Sequence, residues 1–500
     1  MKIVIIENPR PLSIEHYNDV ANAPLSASLN SGYAAATARE AGWDTAFLDF
    51  TDSFDDVAVI ADTILMEGPD IILLHWVYSW GSEDRVRDLL SRIKMTYSGE
   101  IGAFGLFPTL AGDRLALYAP QLDFIIRGEF EETLQELLLS FPATGTLMPV
   151  PGIYRITTPF IRRNLISDMS QLPIPDDLGA NCRYPSMNIA ISRGCFGECS
   201  FCFINLYYGC RRRRERSVAS FEHELETRLK RREIKSVYFI DPTFIGYAEQ
   251  QRERVTAIGR ILKGHDLPFG LETRVDTIDP ERVDTLARHG ATSIFLGIES
   301  GCSAALERIK KKITKDQIVR AVTCIQESSI ALTVGFIMFE PDSTCAELLE
   351  NYSLLEQLCL LSHHDQTVNL LYHSQIVLYG SKAWSQFESQ GRLLLDDRLP
   401  FEANYRFRNA DVARVCAAMK RLSAEYFILI DQIYRRHGIS CSEQFGCCHT
   451  EPHAGINDHD LNLVLKTGFL AFVTHGTTAT PRQFSTLVDR FVENLHACFS

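Results

Sequence analysis

Along most of the chain, short apolar runs alternate with stretches whose apolar residues recur every three or four positions. The runs Lys2–Ile6, Thr45–Leu48, Ile71–His75, Ile101–Phe104 and Phe124–Ile126 predict strands. Ser31–Ala41 (closed by Gly42), Asp56–Met66, Asp84–Lys94 and Glu131–Leu139 carry helical spacing between them. Strands alternating with helices of this length imply βαβ units and a parallel sheet. Such a sheet binds ligands beyond the carboxyl ends of its strands. That selects the loops Asn8–Pro11, His75–Gly81, Gly105–Thr109 and Arg127–Glu131. No G-x-G-x-x-G follows the first strand, so a dinucleotide site lacks its phosphate turn.

Residues 143–186 are richer in Pro, Gly and short polar runs, with PVPGIYR at Pro149–Arg155 and LPIPDD at Leu172–Asp177, and predict a linker. A second alternating series then starts. Strands are expected at Met187–Ile191, Ser236–Asp241, Phe269–Arg274, Ser293–Glu299, Leu332–Met338 and Thr367–Tyr372. Helices are expected at Phe221–Arg231, Gln250–Leu262, Pro280–His289, Lys315–Glu327 and Cys345–Leu358. Six βα steps predict a barrel-like domain over 187–395, with chemistry at the strands' carboxyl ends. Asp411–Tyr434, Asp460–Phe472 and Arg482–Leu495 predict a mainly helical part over 396–500. The first domain is expected over 1–142.

Composition narrows the class. The chain has 500 residues, 46% hydrophobic and 23% charged, as in ordinary soluble domains. No apolar run approaches the ~18 residues of a membrane span. The start, MKIVIIENPR, reads as a first strand rather than a secretory signal, so a cytoplasmic location is expected. A net charge of −13 argues against nucleic acid as a partner. Arg211–Arg216, RRRRER, reads either as a solvated helix start or as a cationic rim near an anionic ligand. The 14 cysteines then point to reduced thiols and metal ligands rather than disulfides.

The densest chemistry is SRGCFGECSFCF, where Cys195, Cys199 and Cys202 form C-x3-C-x2-C in a loop opened by Arg193 and Gly194. Thiolates suit iron–sulfur clusters and zinc. Zinc wants a fourth ligand at finger-like spacing, and only Cys210 follows closely. A four-iron cluster usually takes four cysteines, so a triad leaves one iron open to a substrate. Cys441, Cys447, Cys448, His449 and His453 form a further thiol-rich stretch whose spacing matches no standard site; it reads as a loop of reduced thiols, with a second metal or auxiliary cluster as the alternative.

The triad, with Phe201 before its third cysteine, resembles the signature of the radical S-adenosylmethionine (SAM) enzymes. The resemblance implies a [4Fe–4S] cluster on Cys195, Cys199 and Cys202 and a partial (β/α)6 barrel. It also implies SAM contacts from Phe201, Asp241 (FIDPTF), Arg274 (ETRVD), Glu299 (LGIESG), and Gly335 and Ile337 (VGFIMFEPDST). The family's later glycine is Phe339 here. Ahead of this core, Asn8-Pro9, Gly105…Pro108-Thr109 and RGEFEETL (Arg127–Leu134) resemble the Rossmann-like cobalamin-binding domain of the class B radical SAM methyltransferases. From that likeness Asn8, Ser79, Gly105, Thr109, Gly128 and Glu129 are the expected cobalamin contacts. The D-x-H-x-x-G motif is absent; His16 and His75 are available, and His75 reads as a strand-end histidine with a satisfied hydrogen bond. The implied function is methyl transfer from methylcobalamin to an unactivated carbon or phosphorus centre of a small molecule or natural product. An electron donor such as flavodoxin or ferredoxin is the implied partner. Two alternatives stay open: cyclisation or ring rearrangement without methyl transfer, and iron–sulfur or corrinoid binding without turnover.

Overall fold

The computed structural model describes residues 1–10, 28–51, 53, 55–77, 83–144, 147–177, 185–247, 250–396, 400–436 and 458–499. His16, Ser79, Cys441, Cys447, Cys448, His449 and His453 lie outside them. No described helix is long and apolar enough to cross a membrane.

The first sheet holds β1 (Lys2–Arg10), β2 (Asp44–Thr51), β3 (Ile71–His75), β4 (Glu100–Phe104), β5 (Phe124–Ile126) and β6 (Ile153–Tyr154), in the order β2-β1-β3-β4-β5-β6. The pairings are parallel except β5 with β6. Ile3, Ile5, Ile71 and Leu73 fill one face, and Val4, Ile6, Ile72 and Leu74 the other. Both faces are buried, so these strands read as unbroken apolar runs. The chain leaves β1 toward β2, then crosses to β3 on β1's other side. That reversal makes the carboxyl ends of β1 and β3, at Glu7 and His75, the crevice where such sheets take ligands.

The second sheet comprises β7 (Ser186–Ile189), β10 (Ser236–Phe239), β11 (Phe269–Arg274), β12 (Ala291–Glu299) and β13 (Ala331–Phe336), all parallel, in the order β13-β12-β11-β10-β7. The hairpin of β8 (Ser192–Arg193) and β9 (Arg214–Glu215) brackets the cysteine loop. The expected sixth strand, Thr367–Tyr372, is instead part of a helix, His364–Tyr372. Val368, Leu371 and Tyr372 follow helical spacing, and Thr367–Tyr372 is buried all round, so strand and helix look alike in that run. The sixth place is taken by a single parallel bridge, Phe339 with Ser374. A small sheet unforeseen from sequence follows: β14 (Val377–Leu378), β15 (Leu393–Leu394) and β16 (Glu402–Tyr405). Helices Ala410–Arg436, Asp458–Gly476 and Pro481–Ala497 complete the chain and join the second core through Val412, Phe469 and Phe491.

A buried ion-pair cluster ties the first sheet to the cysteine hairpin. Arg214 donates to both carboxylate oxygens of Glu129, at 2.9 and 2.7 Å. Arg193 donates to Glu129 at 3.2 Å and to Glu131. The Ile166 N–H completes the shell around Glu129 at 2.9 Å. Burial alone would raise the Glu129 carboxyl, but Arg214 and Arg193 outweigh it and hold it below the usual range. Glu129 and Glu131 therefore face arginines of the β8/β9 hairpin. The run Arg211–Arg216 divides as neither sequence reading foresaw. Arg214 and Arg216 are buried and ion-paired, Arg213 donates to the Thr243 and Phe244 carbonyls, and Arg211 and Arg212 are exposed.

Removing one partner from such a cluster strands the opposite charges out of water, which costs about 3–5 kcal/mol. Urea denaturation of purified Glu129→Ala should show a loss of that size, with Glu129→Gln milder. A change below ~1 kcal/mol in the alanine variant would mean that the pairs contribute no more than surface ones.

Candidate active site

The cysteine loop is fixed from several sides. Gly194 turns the chain at φ +85°, and a Cβ there would lie 2.3 Å from the Arg212 carbonyl oxygen, so only glycine fits. The Gly197 N–H donates to Cys195 Sγ at 3.3 Å, and the Asn205 amide holds the Gly197 carbonyl at 2.5 Å. The Ser200 N–H donates to the Ile309 carbonyl at 2.9 Å, while the Ser200 carbonyl accepts from Ala383 at 3.1 Å. Cys195, Cys199 and Cys202 line one cavity of about 960 Å³. Burial raises the Cys195 thiol and pushes the Cys202 thiol up to about 12, so metal must displace protons to bind. Among the described residues no three Cys, His, Asp or Glu side chains converge on one point that would hold a single ion. Three cysteines with only Cys210 following closely suit a cube that takes one iron per thiolate better than zinc, which wants a fourth ligand at finger-like spacing.

Phe201, Arg274, Glu299, Gly335 and Ile337 line the same cavity. Glu299 ends β12 on a register shift, with φ +63°, a left-handed conformation rare for a residue with a side chain. The Ile337 N–H grips its carbonyl at 2.7 Å, and Lys311 Nζ meets its carboxylate at 2.8 Å. Gly297 leaves room for that pair, since a Cβ there would sit 2.8 Å from both Glu299 Oε1 and Lys311 Nζ. Lys311 is buried between two further left-handed residues, Lys310 (φ +55°) and Lys312 (φ +58°). Sequence reasoning passed over Lys311 because KKK reads as a solvated run. Burial would lower its ammonium, but Glu299 and the nearby Cys199 raise it.

Arg274 is committed to its neighbours. It grips Asp276 through two nitrogens at 2.9 and 3.0 Å, donates to the Lys311 carbonyl at 3.1 Å and lies 5.5 Å over the Phe196 ring. Asp241 does not line the cavity. Its fully buried carboxylate accepts from the Ile191 N–H at 3.2 Å and from the Ser192 hydroxyl, bracing the lead-in to the cysteine loop. Glu272, two residues before Arg274, does line it. Burial pushes its carboxyl up to about 8, opposed by a 3.3 Å hydrogen bond from Tyr238.

Part of the lining belongs to the first sheet. Glu7, His75, Ser28, Asn30, Asp49 and Thr51 line the cavity around the β1/β3 crevice. His75 Nδ1 lies 2.7 Å from Glu7 Oε1, and Ser31 donates to the same oxygen at 2.5 Å. Of the expected cobalamin residues, Asn8, Gly105, Thr109, Gly128 and Glu129 stand behind the wall, whereas Leu106 and Phe130 reach it. Gly105 (φ +109°) packs on His75, where a Cβ would come 2.7 Å from the ring. Thr109 accepts from the Gly128 N–H at 3.0 Å, joining the two predicted turns.

Residues 189–355 match the model of the radical SAM superfamily, so the chain carries a radical SAM domain. An uncharacterized methyltransferase of Pyrococcus horikoshii is 26% identical over 364 residues, 70% of this chain and 76% of that one. The cobalamin-dependent SAM radical enzyme OxsB, solved with aqua-cobalamin and SAM, superposes with a TM-score of 0.76 at 17% identity, over 100% of this chain and 75% of that one. The radical SAM methyltransferase TsrM from Kitasatospora setae, solved with cobalamin and a [4Fe–4S] cluster, gives 0.63 at 16% identity over 98% and 99%. The fold is thus shared from end to end.

Glu272 sets a pH signature. Its raised pKa favours the protonated folded state, so the contribution is complete below the ordinary carboxyl value near 4.5 and is lost as pH rises through about 8. The denaturation midpoint of the metal-free protein should fall over that window, and Glu272→Gln should flatten the fall. An unchanged profile in the variant would remove Glu272 as its source.

Proposed function

We propose that this radical SAM chain is a cobalamin-dependent enzyme that transfers a methyl group to an unactivated carbon or phosphorus centre of a small molecule. One observation carries the proposal: a single cavity is lined both by the three thiols and by residues of the β1/β3 crevice of the Rossmann-like sheet. At about 960 Å³ it stands at the upper end for ligand sites, with room for more than one group.

In this reading Cys195, Cys199 and Cys202 hold a [4Fe–4S] cluster. Phe201, Glu299, Gly335 and Ile337 form the SAM wall, with Lys311 added from the structure. Arg274 joins that wall with its guanidinium braced by Asp276, while Asp241 acts from behind, under the lead-in strand of the cysteine loop. Asn8, Gly105, Thr109 and Gly128 shape the corrinoid side as framework for Glu7, His75, Ser28 and Asn30. Ser79 stays with that set by resemblance. When bound, these cofactors supply the electron that cleaves SAM and the methyl group that is transferred.

The chain's own residues supply placement. The Glu299–Lys311 pair fixes a carboxylate and an ammonium at one strand end, where the polar groups of SAM need partners of both signs. Tyr33 and Tyr208, on the cavity wall, are held by Arg193 and Arg214 stacked 5.3 and 5.4 Å from their rings. Those arginines are the ones that join the two domains, so the walls are kept in mutual register. Burial between the walls keeps water from a radical formed there. A reducing cytoplasmic setting keeps the thiols available.

The anaerobically reconstituted protein should be brown, release 5′-deoxyadenosine and methionine from SAM with a reductant, and move label from methyl-labelled SAM into product. Cys199→Ala should lose both the visible absorbance and the cleavage. Cleavage without label in any product would favour the cyclising or rearranging alternative. A coloured protein that never cleaves SAM would leave a binding role.

A further inference from the structure

The cavity has a third part, contributed neither by the thiols nor by the first sheet. It comes from the run Tyr372–Leu378, from β16 and Phe407, and from Lys420 and Ala424 of the helix Ala410–Arg436. Two groups there lack partners inside the protein. Gln375 is only 4% exposed, yet its side-chain oxygen accepts no hydrogen bond. Among the described residues, it is the one buried, unpartnered side chain that also lines the cavity. Buried polar groups are almost always paired, so an exception on a cavity wall marks the place of a ligand's own group. A carboxamide oxygen accepts, so the missing partner is an O–H or N–H.

Lys420 is the second. Four Lys and Arg side chains line the cavity, and three are answered: Arg193 by Glu129 and Glu131, Arg274 by Asp276, and Lys311 by Glu299. Lys420 forms no ion pair with any described residue. It follows Cys416 by one helical turn and opposes the rise that burial imposes on that thiol. Held up to about 11, the thiol is neutral and is no counterion. The lining carboxylates are engaged elsewhere: Glu7 by His75, Asp49 by the Thr51 N–H, and Asp396 and Glu402 by partners of their own. A short chain of contacts joins the two groups. The Gln375 N–H and the Tyr405 hydroxyl both donate to the Phe339 carbonyl, at 3.0 and 3.3 Å, and Tyr405 and Lys420 both act on Cys416.

We propose that Lys420 and Gln375 form the substrate anchor: Lys420 takes a carboxylate or phosphate group, and Gln375 an O–H or N–H of the same molecule. The substrate class is then a polar anion rather than a neutral apolar compound. The inference rests on the reading of this cavity as an active site and adds where the substrate is held. Ile376, Val377, Tyr405 and Phe407 line the same part and limit the water that would compete for both groups. Lys420 is exposed and Gln375 buried, so the charge meets an entering molecule first and the directional hydrogen bond follows deeper. Contacts of this kind, remote from the reacting centre, hold the substrate in place for chemistry that the cofactors supply.

Titration calorimetry on the full chain with its cluster reconstituted, SAM and hydroxocobalamin present and no reductant, tests the anchor with four probes. Lactate and propionate form a carboxylate pair, glycerol 3-phosphate and propyl phosphate a phosphate pair, and each pair differs in its hydroxyl groups. The parent chain should prefer the hydroxylated member of one pair by about three-fold or more, and Gln375→Met should erase that preference. Lys420→Ala should weaken binding of the anions by about five-fold or more, with most of the loss restored in Lys420→Arg. The pair that shows both effects identifies the anionic group as carboxylate or phosphate. No binding of any probe by the parent chain, unchanged affinity in Lys420→Ala, or a hydroxyl preference that survives in Gln375→Met would each overturn the anchor. So would tighter binding of ethanolamine than of any anion, which would assign this part of the cavity to Asp396 and Glu402. Where Gln375→Met does not fold, the variants at the exposed Lys420 decide. Release of 5′-deoxyadenosine from SAM once reductant is added, measured on the same preparations, tests the functional reading alone.

Discussion

Everything at the site depends on a carboxylate kept ionised out of water. Glu129 stands just before the helix Glu131–Thr144, while Arg193 and Arg214 form the hairpin from which the cysteine loop springs. A buried charge persists only when paired and hydrogen-bonded, and Glu129 meets both arginines and the Ile166 N–H. The arrangement is directional, since forked guanidiniums accept a carboxylate in few orientations. It therefore fixes where the loop stands relative to the sheet, something an apolar contact of equal area would do less sharply. Arg193 is two residues from Cys195, so little chain remains in which that placement can be lost.

A second constraint works at the other end of the loop. Glu299, Lys310 and Lys312 all take left-handed backbone, which costs of order 1–3 kcal/mol at a strained non-glycine residue. Such strain survives only where the surroundings enforce it. Here the enforcing contacts are the Glu299–Lys311 pair, the Ile337 N–H on the Glu299 carbonyl and Arg274 on the Lys311 carbonyl. Together they turn one carboxylate and one ammonium toward the cavity from segments that would otherwise relax outward. Charged groups spent on geometry explain why Asp241 faces neighbours rather than the cavity, and why Arg274, although on the cavity wall, is held by Asp276 and the Lys311 carbonyl.

The alternation of strands and helices was plain in the sequence because the central strands of the first sheet, β1, β3, β4 and β5, are buried on both faces and appear as bare apolar runs, while β10 and β13 bury alternate residues. The exception is instructive. Thr367–Tyr372 is apolar enough for a strand, but its partners surround it on all sides, and periodicity cannot separate a fully buried helix from a buried strand. The two-residue strands β14 and β15 carry too few positions for any period to show. The cysteine triad was legible because its spacing is local, whereas Lys311 and the Glu7–His75 pair were not. Both depend on partners that folding brings from elsewhere in the chain, 12 residues away for Lys311 and 68 for His75. The turn glycines Gly105 and Gly128 were visible as motifs, but a motif does not say whether its residues face a ligand or hold up those that do.

That distinction bears on how the first domain contributes. Gly105 gives way to the His75 ring, Thr109 ties Gly105 to Gly128, and Gly128 leads into Glu129. The path is continuous from a histidine on the cavity wall, through two turns, to the carboxylate that grips the cysteine hairpin. A larger residue at Gly105 would displace His75 first, because the closest atoms to its Cβ are His75 Cδ2 and Nε2, at 2.7 and 3.0 Å. The fold thus uses one small set of turn residues both to shape the crevice at the β1/β3 switch and to transmit its position to the thiols. Two walls that meet over a shared cavity can tolerate little independent motion, and this path, with the ion pairs at its end, is what denies it to them.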